Sequence, residues 1–322
     1  MSSKKRKSAK SPKEQAEKFI QKLIAEPQRQ LDILDQLFKD CEQPSLLCLH
    51  TTPSALPFPT RDPLPLQPDF VARPETKTDS TKSELHDNGS FYVMDFSSVL
   101  ECAPLLSIPI QSPIVLDLCA APGGKSLFAW KALTPRLLLA NEVTQARLKM
   151  LISNIKRCQV TPVKILSQAP QKLIERLQDS CDVVLVDAPC TGQSLVAKKQ
   201  SAPGAFFSHQ ININAMRQRG ILSSASEIVR AGGYILYTTC TFSKEENEGL
   251  IEWFLKKNEN FEAVFVKSLE SFQSEFTKKH AYRFWPNTGQ GAGGFTCLLK
   301  KDGEFEVNTQ DFSELPSVWS SL

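Results

Sequence analysis

Two cysteines stand where thiols could do chemistry. Cys190 follows the run Cys181-Asp182-Val183-Val184-Leu185-Val186-Asp187 within Asp187-Ala188-Pro189-Cys190-Thr191-Gly192, and Cys240 follows Tyr234-Ile235-Leu236-Tyr237-Thr238-Thr239 and leads into Thr241-Phe242-Ser243-Lys244-Glu245-Glu246-Asn247-Glu248. Apolar runs of this kind are the pattern of strands buried on both faces of a parallel sheet. A lone cysteine is most often a small buried hydrophobe. A pair of them, each just past a strand end and flanked by turn residues, is hard to place in a core. A thiol made thiolate by a neighbouring cation or a helix start is a nucleophile. If both strands are parallel, the two thiols lie at one edge of the sheet.

The same edge has a loop built for a ligand. Residues 114–125 read IVLDLCAAPGGK: an apolar strand, a turn, and the start of a helical pattern. Pro122 fixes one backbone angle, Gly123 and Gly124 remove the side chains that would hold a ligand off the main chain, and the helix start offers unpaired amides. This is a nucleotide-type pocket at the end of a first strand, or else a tight turn with no ligand. Neither the dinucleotide pattern G-x-G-x-x-G nor a phosphate loop is present, so a cofactor with a nucleoside and no phosphates, such as S-adenosylmethionine, fits better. Glu142, 18 residues after Gly124, ends the next strand candidate. A carboxylate there can accept both ribose hydroxyls.

DLCAAPGGK closely resembles the cofactor loop of the Sun-domain (Fmu/Nop2-like) RNA cytosine-5 methyltransferases. Three later stretches repeat the resemblance in order: DAPCTG corresponds to the family's DAPCSG, TTCTFSKEENE to its STCS-x-x-x-x-ENE, and Tyr282-Arg283-Phe284-Trp285-Pro286 through Gly289 to Phe295 to its R-x-W-P…G-x-x-GFF. The resemblance implies methyl transfer from S-adenosylmethionine to cytosine carbon 5 in ribosomal or transfer RNA through a covalent cysteine adduct. It makes Cys240 the nucleophile and Cys190 the group that assists release. Asp187 would bond the ring near nitrogen 3, and Lys125 would hold the base or the cofactor loop. The implied cofactor contacts are Cys119, Ala120, Ala121, Pro122, Gly123, Gly124, Lys125, Glu142, Gln168 and Asp187. The chemistry needs a thiol because cytosine carbon 5 is a poor nucleophile until a thiolate adds to carbon 6. DNA enzymes place their nucleophile in a Pro-Cys motif, so the second cysteine favours RNA.

Two departures stand out. The family usually has an acid after the third strand for the adenine, whereas this chain has Leu166-Ser167-Gln168-Ala169, leaving the Gln168 amide or apolar contacts for that role. Its larger N-terminal RNA-binding module, with an R-V-N-T-L-K segment, is absent. The rival reading is a non-catalytic RNA-binding or ribosome-assembly factor that keeps the fold; the missing acid argues for it and the paired cysteines against it.

These residues must be positioned by a regular alternation of elements. Strand candidates are Ile114–Asp117, Leu137–Glu142, Val163–Leu166, Val183–Asp187, Tyr234–Thr239, Ala263–Lys267 and Phe295–Lys300. Helix candidates are Ser126–Leu133, Thr144–Cys158, Pro170–Leu177, Asn212–Arg230 and Lys244–Asn258. The pattern predicts an α/β fold, a doubly wound Rossmann-like sheet of the class I methyltransferase type, with a short helical, Pro-rich N-terminal extension. The expected division is a disordered basic tail at 1–13, the extension at 14–90, a methyltransferase domain at 91–301 and an acidic tail at 302–322, docked loosely or free. Within the extension two amphipathic helices break near Pro27, and residues 44–85 are expected to be extended or irregular. The insert from Gln193 to His209, with Lys198, Lys199, Phe206, Phe207 and His209, is either an RNA surface or an ordinary loop.

Composition sets the bounds. The 322 residues, 41% of them hydrophobic, suffice for one large or two modest domains. No apolar run nears the ~18 residues of a membrane span, and the basic start has no apolar core behind it as a secretory signal would. Nine cysteines without a C-x-x-C pair argue for a reduced, cytoplasmic setting and against a disulfide frame or a metal site. Net charge is only +3, and Lys4, Lys5, Arg6, Lys7, Lys10, Lys13 and Lys18 concentrate the positive part in a tail. Such a tail is a solubility segment, a phosphate-tracking arm or a nuclear address. The expected partner is RNA, with no membrane and no metal, and the expected state is a monomer.

Overall fold

The computed structural model describes residues 11–39, 41, 43–76 and 82–321. In chain order the strands are β1 (Pro44–Cys48), β2 (Val71–Ala72), β3 (Phe91–Asp95), β4 (Ile114–Asp117), β5 (Leu137–Asn141), β6 (Val163–Leu166), β7 (Cys181–Asp187), β8 (Val229–Thr239), β9 (Phe261–Ala263), β10 (Tyr282–Phe284), β11 (Gly294–Lys301) and β12 (Trp319–Ser320). The apolar runs become β4 to β8, parallel to one another, in the order β8-β7-β4-β5-β6. Parallel strands need crossovers, and the intervening helices cover both faces. On one face Leu127, Phe128, Leu151 and Ile155 pack against Val115, Val183 and Leu185. On the other, Leu173, Leu222, Ala225, Ile251 and Phe254 pack against Ile114, Leu116, Val184 and Val186. Each such fully buried aliphatic contributes about 1.5–3 kcal/mol.

The chain winds from β4 outward through β5 to β6, then returns to β7 on the opposite side of β4 and continues to β8. The strand order therefore reverses between β4 and β7, and their carboxyl ends part into the crevice where ligands of such sheets bind. This is the expected doubly wound α/β fold. Two antiparallel edges complete it: β11, carrying β9 and β10, on β8, and β12 on β6.

Elsewhere the structure departs from the sequence reading. The expected strand Ala263–Lys267 is displaced, the observed strand being Phe261–Ala263 with only Ala263 in common, and Tyr282–Phe284 is an unforeseen strand, only three residues long. Residues 44–85, expected to be extended or irregular, supply β1 and β2 of an antiparallel sheet in the order β2-β1-β3. Pro44 is tolerated because it opens its strand, and the surrounding prolines hide the buried run Leu46, Leu47, Cys48 that forms it. A boundary between residues 90 and 91 would part β3 from its partner β1.

The two helices before this sheet, Pro12–Leu23 and Pro27–Phe38, follow the expected spacing. Ser11 and Glu14 form a capping box at the first. They bury Ala16, Ile20, Ile33 and Leu37 against Phe206, Phe242 and Trp285 of the main unit. Residues 1–10, most of the expected basic tail, lie outside the described residues; residues 12 and 13 already belong to the first helix. Among the described residues no helix is long and apolar enough to cross a membrane.

The C-terminal segment, expected loose or free, is held along the far sheet edge. Phe312 is buried, β12 pairs with β6, and the buried Lys164 ammonium donates to the carbonyls of Phe312 (2.6 Å), Ser313 (2.7 Å) and Leu315 (3.3 Å). A buried ammonium must find acceptors, and these carbonyls satisfy it. Replacing it, as in Lys164→Met, is expected to cost about 1–3 kcal/mol and to open residues 303–321 to limited proteolysis while the rest of the chain resists. An unchanged cleavage pattern would show that β12 and Phe312 suffice.

Candidate active site

β7 and β8 pair in parallel with Asp187 opposite Thr238, so the segments after them leave from one edge. Cys190 and Cys240 meet there, both partly exposed, with their sulfurs 3.1 Å apart. Their meeting depends on the buried run Glu246-Asn247-Glu248. The Glu246 carboxylate accepts from the Thr191 amide (3.0 Å) and hydroxyl (2.6 Å), the Gln218 amide group (2.9 Å) and the Ser243 hydroxyl (3.0 Å). It thus joins the residue after Cys190 to the turn after Cys240. Asn247 accepts from the Thr239 hydroxyl (2.6 Å) and donates to the Thr241 carbonyl (2.9 Å), clamping both sides of Cys240. Glu248 is paired with Arg283, both nearly inaccessible, at 2.5 Å; Arg283 also donates to the Phe242 carbonyl (2.8 Å). Gln193 accepts from the Phe242 amide (2.7 Å) and donates to the Ala205 carbonyl (2.8 Å).

The two thiols are not equivalent. The hydrogen bond with Cys190 holds the Cys240 thiol below its ordinary pKa against burial and the charges of Asp187 and Glu101, with a smaller contribution from Lys125. The same hydrogen bond, burial and the Glu246 carboxylate hold Cys190 well above its own. The contact thus favours the thiolate on Cys240 over Cys190. The helix start expected just after Cys240 does not contribute, because that helix begins only at Glu248.

Lys125, in the first turn of the helix Gly124–Leu133, lies between two carboxylates, with Nζ 2.8 Å from Asp187 Oδ1 and 2.8 Å from Glu101 Oε2. Burial pulls its pKa down, but Asp187 and Glu101 outweigh that and hold it well above the ordinary value. The Thr238 hydroxyl donates to the same Asp187 oxygen at 3.0 Å. Glu101 is the residue the sequence reading missed. Its only signal is one acid in the apolar run Phe96-Ser97-Ser98-Val99-Leu100-Glu101-Cys102-Ala103. Burial raises its carboxyl to about 7 in spite of Lys125. It also explains a glycine of the last motif, since a Cβ on Gly294 would stand 1.9 Å from Glu101 Oε1.

Beside this group a cavity of about 470 Å³ opens between Leu118, Cys119, Glu142, Pro170, Met216 and Arg217. Glu142 is buried in its wall. One oxygen accepts from the Thr144 amide (2.8 Å); the other takes no hydrogen bond from the protein, with Arg147 3.4 Å away. An unsatisfied buried acceptor in a cavity calls for a donor, which suits a ribose hydroxyl. The adjoining loop is Ala120, Ala121, Pro122, Gly123 and Gly124. Gly123 has φ +120°, a conformation that favours glycine, and the Ala121 and Pro122 carbonyls are held by Arg147 and Asn154. Asp117 beneath it accepts from Ser126 (2.6 Å) and the Cys119 amide (3.2 Å), with its carboxyl raised to about 7 by burial.

Gln168 is placed otherwise than its amide role requires. Its side chain is exposed, its backbone is held by Asn141 at 3.0 and 2.9 Å, and the next residues, Ala169 and Pro170, line the cavity. Ala169 and Pro170 give this wall an apolar stretch. The Gln193–His209 insert is likewise largely occupied. Lys198 lies 4.0 Å from Asp95, Lys199 donates to the Phe38 carbonyl, and Phe206 packs on Phe19 at 5.5 Å. Phe207 and His209 stay exposed.

A family model described as 16S rRNA methyltransferase RsmB/F matches residues 105–300. Ribosomal RNA small subunit methyltransferase F of Klebsiella pneumoniae (strain 342) is 34% identical over 174 residues, 53% of this chain and 36% of that one. The chain spans between about a third and a half of the length of the curated relatives it matches. A methyltransferase homolog protein from Pyrococcus horikoshii shares the fold, with a TM-score of 0.71 at 22% identity over 85% of this chain and 90% of that one. NSun6 from Pyrococcus horikoshii, solved with SFG, aligns with a TM-score of 0.58 at 26% identity over 70% of this chain and 56% of that one.

Two tests follow from the hydrogen bonds. Glu246→Gln turns an amide N–H toward existing donors and is expected to lower stability in urea by about 2–4 kcal/mol and to slow diamide cross-linking of Cys190 to Cys240; unchanged cross-linking would remove Glu246 from the positioning of the thiols. For the thiolate, iodoacetamide labelling of Cys240 across pH is read by mass spectrometry. Its midpoint is expected to move up in Cys190→Ala, and by less in Lys125→Met, because each substitution removes a stabiliser of the charged form. A midpoint indifferent to both would refute the assignment.

Proposed function

The chain belongs to the family described as 16S rRNA methyltransferase RsmB/F, and on that premise we propose that it transfers a methyl group from S-adenosylmethionine to carbon 5 of cytosine in RNA, ribosomal or transfer. The observation that carries the reading is the pair of sulfurs 3.1 Å apart, one favoured as thiolate, near the Lys125–Asp187 ion pair. A relative in complex with SFG, an analogue of the cofactor, supports the choice of cofactor. The cavity fits it: Glu142 offers an acceptor for ribose hydroxyls, Ala169 and Pro170 an apolar wall for the adenine. When bound there, S-adenosylmethionine supplies an electrophilic methyl group.

The protein's own residues do the rest. The Cys240 thiolate forms a bond to cytosine carbon 6, and the electron pair of the 5,6 double bond moves onto the ring, making carbon 5 nucleophilic. Asp187 orients the base near nitrogen 3, and the Lys125 ammonium beside it offsets the negative charge gathering there. After carbon 5 has taken the methyl group, its proton passes to a base, the deprotonated Cys190 or a water beside it, and the carbon–hydrogen electron pair re-forms the 5,6 double bond as the sulfur–carbon 6 bond breaks and returns its pair to Cys240. Cys190, in contact with the departing sulfur, assists this release. The base must leave its stack to reach the thiols, so unpaired cytosines should react first.

The mutants separate the two roles. With labelled cofactor and small-subunit rRNA or tRNA transcripts, Cys240→Ala is expected to give neither methylation nor a covalent product. Cys190→Ala is expected to stay bonded to methylated RNA as a slow, nuclease-sensitive band on a denaturing gel. If Cys240→Ala traps RNA and Cys190→Ala does not, the assignment is reversed. Full methylation by both variants would make both cysteines structural. For the cofactor, Glu142→Ala is expected to weaken binding about tenfold by calorimetry, the loss of one charged hydrogen bond; equal affinity would take the ribose role from Glu142.

A further inference from the structure

Away from the crevice, the first helix and the insert after Cys190 enclose a second groove of about 440 Å³, lined by Lys18, Phe19, Lys22, Phe206, Phe207 and Ser208. Lys18 and Lys22 are one helical turn apart on an exposed face and give that side of the groove its positive charge. Phe206 is buried against Phe19 at 5.5 Å and forms the floor, while Phe207 keeps half of its surface in solvent. Nothing in the packing of the fold requires a phenylalanine at so exposed a position. Ser208 opens the helix Ser208–Ile228, whose first turn has no side-chain cap, so its amides add a positive end to the groove. The lining side chains include no carboxylate.

We propose that this groove binds an unpaired segment of the RNA substrate, stacking a base on Phe207 and holding flanking phosphates with Lys18 and Lys22; the proposal rests on the RNA reading above. Cations beside an exposed ring are the combination that grips single strands without reading sequence. The basic residues 1–10 are unsuited as occupant, since their charge has the sign of the groove. A position near the crevice is built in: Gln193 joins the Ala205 carbonyl, one residue before Phe206, to the Phe242 amide in the Cys240 turn. The groove and the Cys240 turn are therefore held to one another through Gln193, and on this proposal the N-terminal helices belong to the substrate surface.

The test uses the full chain with a short unstructured RNA and an RNA duplex of the same composition, together with a methylation assay of the wild type. Phe207→Ala is expected to weaken the single strand about tenfold and the duplex far less, and Phe207→Trp to restore it, because the π-face is what matters. Lys18→Ala with Lys22→Ala is expected to reduce the slope of log affinity against log salt by about 1.4, two phosphates of a single strand. All variants should keep the wild-type unfolding midpoint. If the wild type methylates RNA and these variants bind like it, or if single strand and duplex lose affinity equally, the groove is not the strand site although the enzymatic reading stands. Loss of self-association in Phe207→Ala, without loss of RNA, would mean that the face pairs two copies and would overturn the proposal. A wild type that neither binds nor methylates RNA would overturn both.

Discussion

The Glu246 carboxylate is the constraint on which the active edge depends. It is fully buried, and burial raises its pKa, yet donors from Thr191, Gln218 and Ser243 surround it. A buried carboxylate is costly without donors, and the donors that satisfy it sit on the very loops that must converge. Neither thiol loop has regular structure of its own to fix it. Asn247 and Glu248 extend the same arrangement, one to both flanks of Cys240 and the other through Arg283 to the Phe242 carbonyl. Three consecutive polar side chains therefore replace what a continuous sheet would otherwise supply.

A second polar group is built on Lys125. Its ammonium lies between Asp187 at the end of β7 and Glu101, a carboxyl from outside the parallel core. The two thiols are separated first by their mutual hydrogen bond; among the charges, Glu246 pushes Cys190 up, while at Cys240 Asp187 and Glu101 oppose Lys125. Two chemically identical side chains in contact thereby have their acidities pushed in opposite directions. Opposed acidities of this kind are what the attack and assisted release proposed above would use.

The N-terminal helices are tied to the same region through aromatic packing. Phe242 stacks on Trp285 at 5.2 Å, and Arg29 of the second helix lies over that indole at 5.7 Å. The turn after Cys240 is thus braced from outside by the extension, which buries Ile20, Ile33 and Leu37 on this aromatic layer. Displacing these helices would expose the layer and loosen the turn that carries the thiolate.

By itself the sequence determined the parallel core and which candidate residues stand at its edge. Apolar runs such as Val183–Val186 are long and uniform enough to declare buried strands, and Cys190, Cys240, Lys125 and Asp187 each sit a fixed few residues beyond or beside one. Local signals of this kind survive without the fold because strand periodicity and turn residues are properties of neighbours in the chain. Only the tertiary structure decided what depends on distant partners. Glu101 meets Lys125 across the fold, β1 needs β3 for its hydrogen bonds, and Phe312 and β12 need the edge of β6. The amide of Gln168 was legible as a candidate, yet whether it reached the cavity depended on Asn141 holding its backbone. A side chain's neighbours along the chain show which element it belongs to; which groups it faces is set by packing between elements far apart in sequence, and that packing alone brought the two sulfurs into contact.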